Sequence, residues 1–165
     1  MVKKIVGTGV LLVLALALQA GVKMYTLKSP DGKVKLEVTA GQGIAYSLFY
    51  DGRLLLKPSR IALHTDLPEA DHWENIRITG TKQRHVSETV QAPFYRVKEF
   101  GIDCNELELR LNNGFSLLMR AYNDGMAYRF VAGRKGEMTV VEERAEFNFA
   151  DDFEAYIPYS TNPKD

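Results

Sequence analysis

The chain has 165 residues, 45% apolar and 25% charged, and its 21 lysines and arginines balance 21 aspartates and glutamates. That balance gives no electrostatic reason to expect nucleic acid or an anionic membrane surface as a partner. A single cysteine, Cys104, excludes an intrachain disulfide, so the fold must be held by an apolar core, for which the length is sufficient.

Met1 to Lys4 is a short basic start, Ile5 to Ala20 is a run without charge, and Leu18-Gln19-Ala20 ends in the small residue that signal peptidase accepts. Residues 1–20 therefore read as a secretory signal peptide, with no membrane association once it is cleaved. The run is shorter than the roughly 20 apolar residues of a spanning helix, which argues against the alternative of an uncleaved anchor. Cleavage removes Lys3 and Lys4 and leaves 19 basic residues against 21 acidic ones.

From there to residue 165 the pattern is that of strands and turns. Val34, Leu36 and Val38 alternate with Lys33, Lys35, Glu37 and Thr39, and Leu107, Leu109 and Leu111 alternate with Glu106, Glu108, Arg110 and Asn112. Period two with one polar face predicts antiparallel, half-buried strands. Ile44 to Tyr50 and Phe115 to Tyr122 are apolar on both faces and are expected to lie centrally or under cover. Turn signals stand at Ser29-Pro30-Asp31-Gly32, Asp51-Gly52, Asn112-Asn113-Gly114, Asn123-Asp124-Gly125 and Gly133 to Gly136. Leu67 to Trp73 reads as a loop or a short helical turn. Many short strands with regular turns predict an all-β antiparallel sandwich.

Candidate sites are few. Trp73, the one tryptophan, suits stacking on a sugar ring in a secreted β domain, against the simpler reading that it packs within the fold. His64, Asp66, Glu69, Asp71, His72 and Glu74 form the densest group of potential metal ligands, but their spacing matches no fixed set of three or four ligands. Cys104, in Ile102 to Asn105 at an expected strand start, has no neighbouring histidine and reads as a buried thiol. Glycoside hydrolysis needs two convergent carboxylates. Glu142-Glu143, on a strand, point to opposite faces, and no catalytic dyad is legible. In Arg120 to Phe130, RAYNDGMAYRF, Asp124 and Gly125 are expected to set a tight hairpin turn, with Arg120 and Arg129 on the flanking strands. One of these arginines is expected to pair with a carboxylate, inside the sandwich or at a domain interface, because a buried guanidinium needs a partner.

The order of motifs is more specific than any of them singly. Leu27 to Gly32 (LKSPDG), Ala45 to Arg53 (AYSLFYDGR) leading to Leu56-Lys-Pro-Ser59, Asn105 to Leu109 (NELEL), Arg120 to Phe130, and Glu146 to Phe149 (EFNF) together resemble the N-terminal domain of glycoside hydrolase family 97, over residues from about Tyr25 to Pro158. The resemblance implies a β-super-sandwich packed on a catalytic (β/α)8 barrel, in calcium-dependent exo-acting α-glucosidases and α-galactosidases exported by bacteria to the periplasm or beyond. It further implies that the barrel carries the catalytic acid and its partner, and that the sandwich contributes a carboxylate at the rim of the active site. Residues 21–165 correspond to the first part of that sandwich and end at Asp165 before the rim carboxylate is expected, so no catalytic or calcium residue carries over. The expectation is a noncatalytic module whose partner is a barrel outside this chain, with contact to an α-linked glycan conceivable at Trp73. The alternative is a free-standing secreted carbohydrate-binding domain. A complete small hydrolase lacks a dyad.

Overall fold

The computed structural model describes residues 23–94, 96–154 and 156. The expected signal peptide lies outside them. The described chain is all strand: β1 (Lys23–Lys28), β2 (Val34–Gly41), β3 (Gly43–Tyr50), β4 (Arg53–Thr65), β5 (Ile78–Gln91), β6 (Glu99–Leu111), β7 (Phe115–Tyr122), β8 (Gly125–Ala132) and β9 (Val140–Ala145). Among the described residues no helix is long and apolar enough to cross a membrane.

Two antiparallel sheets result. The first has the order β1-β2-β3-β4-β9 and the second β5-β6-β7-β8. The chain builds four strands of the first sheet, crosses once to complete the second, and returns so that β9 adds beside β4. The two segments read as apolar on both faces, β3 and β7, each lie between two partners. Leu67 to Asp71 forms a single helical turn, with the amides of Ala70 and Asp71 both donating to the Leu67 carbonyl, at 2.9 and 3.0 Å.

Alternation places one row of each central strand inside. Leu36, Val38 and Tyr46 from the first sheet and Leu109, Leu117 and Met119 from the second are at most 1% exposed. Strand β1 faces β6 and β7, and β2 faces β7. At the β8 side Tyr46 meets Tyr128 with ring centroids 6.1 Å apart. Tyr128 also donates its hydroxyl to Glu143 Oε1 of β9 at 3.2 Å, and burial together with the Glu143 charge pushes that hydroxyl up to about 12. It therefore stays a donor across the physiological range.

β5 has no strand opposite it, and of its side chains only Val86 is buried. β7 pairs with β6 only from Asn105 to Arg110, while β5 pairs with β6 along its whole length. Residues 86–91 and 99–104 therefore continue as a two-stranded ribbon beyond the body of the sandwich. At the opposite end of β5 the register on β6 shifts between Ile78 and Gly80, a bulge that leaves Thr79 as the extra residue. Cys104, expected at a strand start, lies well inside β6 and is fully buried.

The turns divide into two kinds. At Asp51-Gly52 both residues are left-handed, with φ of 48° and 79°, as a tight primed turn requires. The Asn123-Asp124-Gly125 turn corrects the expectation from sequence. Tyr122 pairs directly with Gly125, so Asn123 and Asp124 make the turn and Gly125 opens β8. None of the three residues is left-handed. The Asn123 side chain instead ties this turn to the β1–β2 connection, its Oδ1 accepting the Asp31 amide at 3.0 Å. A Cβ at either Gly52 or Gly125 would meet no other atom, so only φ distinguishes them. Gly52→Ala should lower stability by about 1–2 kcal/mol, the cost of a left-handed nonglycine residue. Gly125→Ala should leave the urea midpoint unchanged or slightly raised.

Candidate functional site

Among the described residues Glu106 is the one charged side chain that is buried, at 4% exposure. The register across β5, β6 and β7 explains how it is tolerated. Arg84 and Arg120 stand directly opposite Glu106 on its two neighbouring strands, all on the outer face of the second sheet. Arg84 Nε donates to Glu106 Oε1 and Arg120 Nε to Oε2, both at 2.7 Å. Burial by itself would raise the Glu106 carboxyl, but the two guanidiniums outweigh it and hold the group below the usual carboxylate range. Arg120 is in turn held above the ordinary guanidinium value, first by its bond to Glu106 and then by Tyr122 beside it. Cys104 lies next to this group, and burial pushes its thiol up, which makes it a poor nucleophile.

A carboxylate clamped between two cations has a depressed affinity for protons, whereas a general acid needs a raised one. The Arg84–Glu106–Arg120 cluster is therefore a cross-strand clamp. Arg129 differs from Arg120: it is exposed on β8, opposite Leu118, and makes no ion pair among the described residues. Arg120→Met should lower stability by about 1–3 kcal/mol, because the buried Glu106 loses its better-covered partner and keeps only the exposed Arg84. Arg129→Met should stay within about 0.5 kcal/mol of the parent in urea unfolding. Because the Glu106 value is lower in the folded state, its contribution is present above the unfolded carboxylate value of about 4.3 and is lost as pH falls through the folded one. Midpoints measured from pH 6 downward should fall more steeply in the parent than in Glu106→Gln.

Trp73 requires a correction. Its side chain is in the core at 6% exposure, with Phe130 edge-on at 5.1 Å and Phe115 tilted at 5.9 Å, and its indole Nε1 donates to the Leu63 carbonyl at 3.0 Å. Both the ring and its polar edge are already used, so no face is free for a sugar. The neighbouring acidic stretch is likewise divided among separate partners. His64 Nδ1 lies 2.8 Å from Asp71 Oδ1, Asp66 accepts the Thr139 amide at 2.9 Å, and Glu69 accepts from Arg134 at 2.6 Å. No group of three or more histidine, cysteine or acidic side chains converges among the described residues.

Two surface hollows lie among the described residues. One, of about 260 Å³, lies by Gln42, Arg60 and Glu146; the other, of about 240 Å³, lies by Glu69, Asn113 and Arg134. Each contains one carboxylate, and each of those is engaged by an arginine, Arg144 with Glu146 and Arg134 with Glu69. Neither presents the pair of carboxylates that glycosidic bond cleavage needs.

Comparison with known proteins places this clamp and sandwich in context. The sequence profile described as Glycosyl-hydrolase 97 N-terminal matches residues 27–165. The chain belongs to this family. A retaining alpha-galactosidase of Bacteroides thetaiotaomicron is 40% identical over 151 residues, which cover 91% of this chain and 22% of the relative. A "probable retaining alpha-galactosidase" of Streptomyces bingchenggensis is 26% identical over 132 residues, 78% of this chain and 20% of the relative. The family 97 chain therefore spans about one fifth of the length of the curated relatives it matches.

Solved structures agree on the fold. The crystal structure of a beta-arabinopyranosidase superposes with a TM-score of 0.67 at 25% identity, covering 76% of this chain and 21% of that one. A family 97 enzyme from Pseudoalteromonas sp. strain K8, in complex with panose, superposes with a TM-score of 0.63 at 19% identity, covering 77% of this chain and 20% of that one.

Proposed function

We propose that this chain is the noncatalytic N-terminal module of an exported α-glycosidase, acting on α-galactosides, whose catalytic barrel lies in polypeptide beyond it. The observation that carries the reading is the family match over residues 27–165 together with two retaining alpha-galactosidase relatives of which the chain covers about one fifth. Two further features support it. No carboxylate pair converges in either hollow, and the buried Glu106 is held in a state unsuited to proton donation. Export rests on residues 1–20, and calcium, by the same reading, is held by the joined polypeptide. The module contributes by packing against the barrel rather than by touching the scissile bond. Trp73 takes no part in glycan contact.

The experiment is a pair of measurements on the secreted product. Its intact mass should begin at Gly21 and extend well past Asp165, and that long product should hydrolyse nitrophenyl α-galactoside. Residues 21–165 expressed alone should show no turnover, and their Trp73 fluorescence should not move when maltooligosaccharides or α-galactosides are titrated. Turnover by the short chain, or a saturable fluorescence change on titration, would overturn the reading in favour of a self-sufficient hydrolase or a carbohydrate-binding domain.

A further inference from the structure

The ribbon of β5 and β6 has its polarity reversed relative to the sheet that it extends. Ser87 pairs with Asp103, Thr89 with Gly101 and Gln91 with Glu99, so the face that continues the apolar interior is polar. The opposite face, continuous with the outer surface that carries the Glu106 clamp, pairs Val86 with Cys104 and Val90 with Phe100, with Ile102 between them opposite Glu88. Exposure rises along this strip from Cys104 at 0% and Val86 at 7% to Val90 at 39% and Phe100 at 42%, and the tip adds Val97 at 54% and Phe94 at 98%. The arm reaches roughly 20 Å beyond Asn105, at about 3.4 Å per residue. A two-stranded ribbon is marginal in water by itself, and an apolar strip on a projecting arm marks a contact surface.

The topology says which end of the sandwich the arm serves. Asn105, at its root, donates its side-chain amide to the Lys28 carbonyl at 2.8 Å, next to the β1–β2 connection. That connection is tied to the β7–β8 turn through Asp31 and Asn123. After β9 the chain runs back along β4 toward the same end. The Lys57 amide bonds to the Asn148 carbonyl at 2.8 Å, the Ala150 amide bonds to the Leu55 carbonyl at 2.9 Å, and Asp151 lies 3.6 Å from Arg53 at the β3–β4 turn. Phe149, 55% exposed, and Tyr156, 85% exposed, lie on this outgoing segment. The described segment after β9 therefore reaches, at Asp151, the end beyond which the arm projects, with an apolar patch on either side of the turns. In the relatives about four fifths of the length lies outside the matching stretch.

We infer that this end of the sandwich is the seat of the remaining polypeptide of the enzyme, and that the ribbon clasps it by inserting Phe94, Val97 and Phe100 into an apolar groove of that partner. The inference rests on the reading under Proposed function and adds to it the surface through which the module holds that remaining polypeptide.

The test replaces the aligned 151 residues of the Bacteroides thetaiotaomicron alpha-galactosidase with this chain, and then introduces Phe94→Ser with Phe100→Ser. In the full-length chimera these changes should lower the midpoint of thermal inactivation by several degrees. Val141→Ser, at an equally exposed site near the other end of the sandwich, should leave it in place. In residues 21–165 alone the double change should not lower the unfolding midpoint, which separates clasping from folding of the ribbon. An unchanged inactivation midpoint in the double-variant chimera would overturn the inference while leaving the proposed function standing. A chimera with no α-galactosidase activity before any substitution would count against the proposed function and the clasp together. If residues 21–165 form a dimer in light scattering that the double change dissolves, the strip belongs to a second copy and the inference falls.

Discussion

Everything in this molecule depends on two inner sheet faces shutting water out between them. A fully buried leucine, valine or phenylalanine contributes about 1.5–3 kcal/mol, and the central strands supply such side chains at every second position. No other interaction here approaches that sum. The Glu106 clamp is worth a few kcal/mol at most, because its attraction first has to offset the desolvation of a buried charge. Its larger effect is on geometry. It fixes β5, β6 and β7 in one register at the point where the sheet ends and the ribbon begins, so the direction of the arm is set by charge-assisted bonds rather than by a core beneath it.

Much of this was legible in the sequence, for reasons that can be named. β2 and the inner half of β6 announce themselves by strict alternation because one face is wet and the other dry. β3 and β7 lose alternation because their half-covered outer rows also carry apolar side chains, Phe49 in one and Leu118 and Tyr122 in the other. The motif order from Leu27 to Phe149 carried the family, whose match over residues 27–165 agrees. The fold class followed from turns spaced at short intervals.

What was missed depends on contacts between residues far apart in the chain. Trp73 sits amid His72, Glu74 and Asp71, and such polar company reads as surface; burial comes from Phe115 and Phe130 on the other sheet. Glu106 looks like one more solvent-facing residue in an ELEL run. A signal did exist: folding the hairpin about Asn113 places Glu106 opposite Arg120. The second arginine, Arg84, was hidden, because β5 reaches β6 through the connection of residues 92–98, which carries no tight-turn signal to fix the register. Gly125 failed as a turn predictor because Asn-Asp-Gly offers two ways to close a hairpin, and the side-chain bond from Asn123 to Asp31 favours the one without positive φ.

The bulge at Thr79 has a bearing on the arm that lies at its other end. Ile78 pairs with Leu111, and after the extra residue Gly80 pairs with Arg110, so the side-chain phase of β5 is inverted from there to Gln91. The extra residue lets Ile78 face the core although valines 86 and 90, an even number of positions further along, look outward beside Cys104 and Phe100. In a strand of period two, phase is inherited by everything downstream until another irregularity resets it. No irregularity interrupts β6, so its inward Leu107 and Leu109 commit Cys104, Ile102 and Phe100 to the opposite side, and the bulge at Thr79 is what lets Ile78 pack on the core in the same strand whose valines 86 and 90 join that outward row.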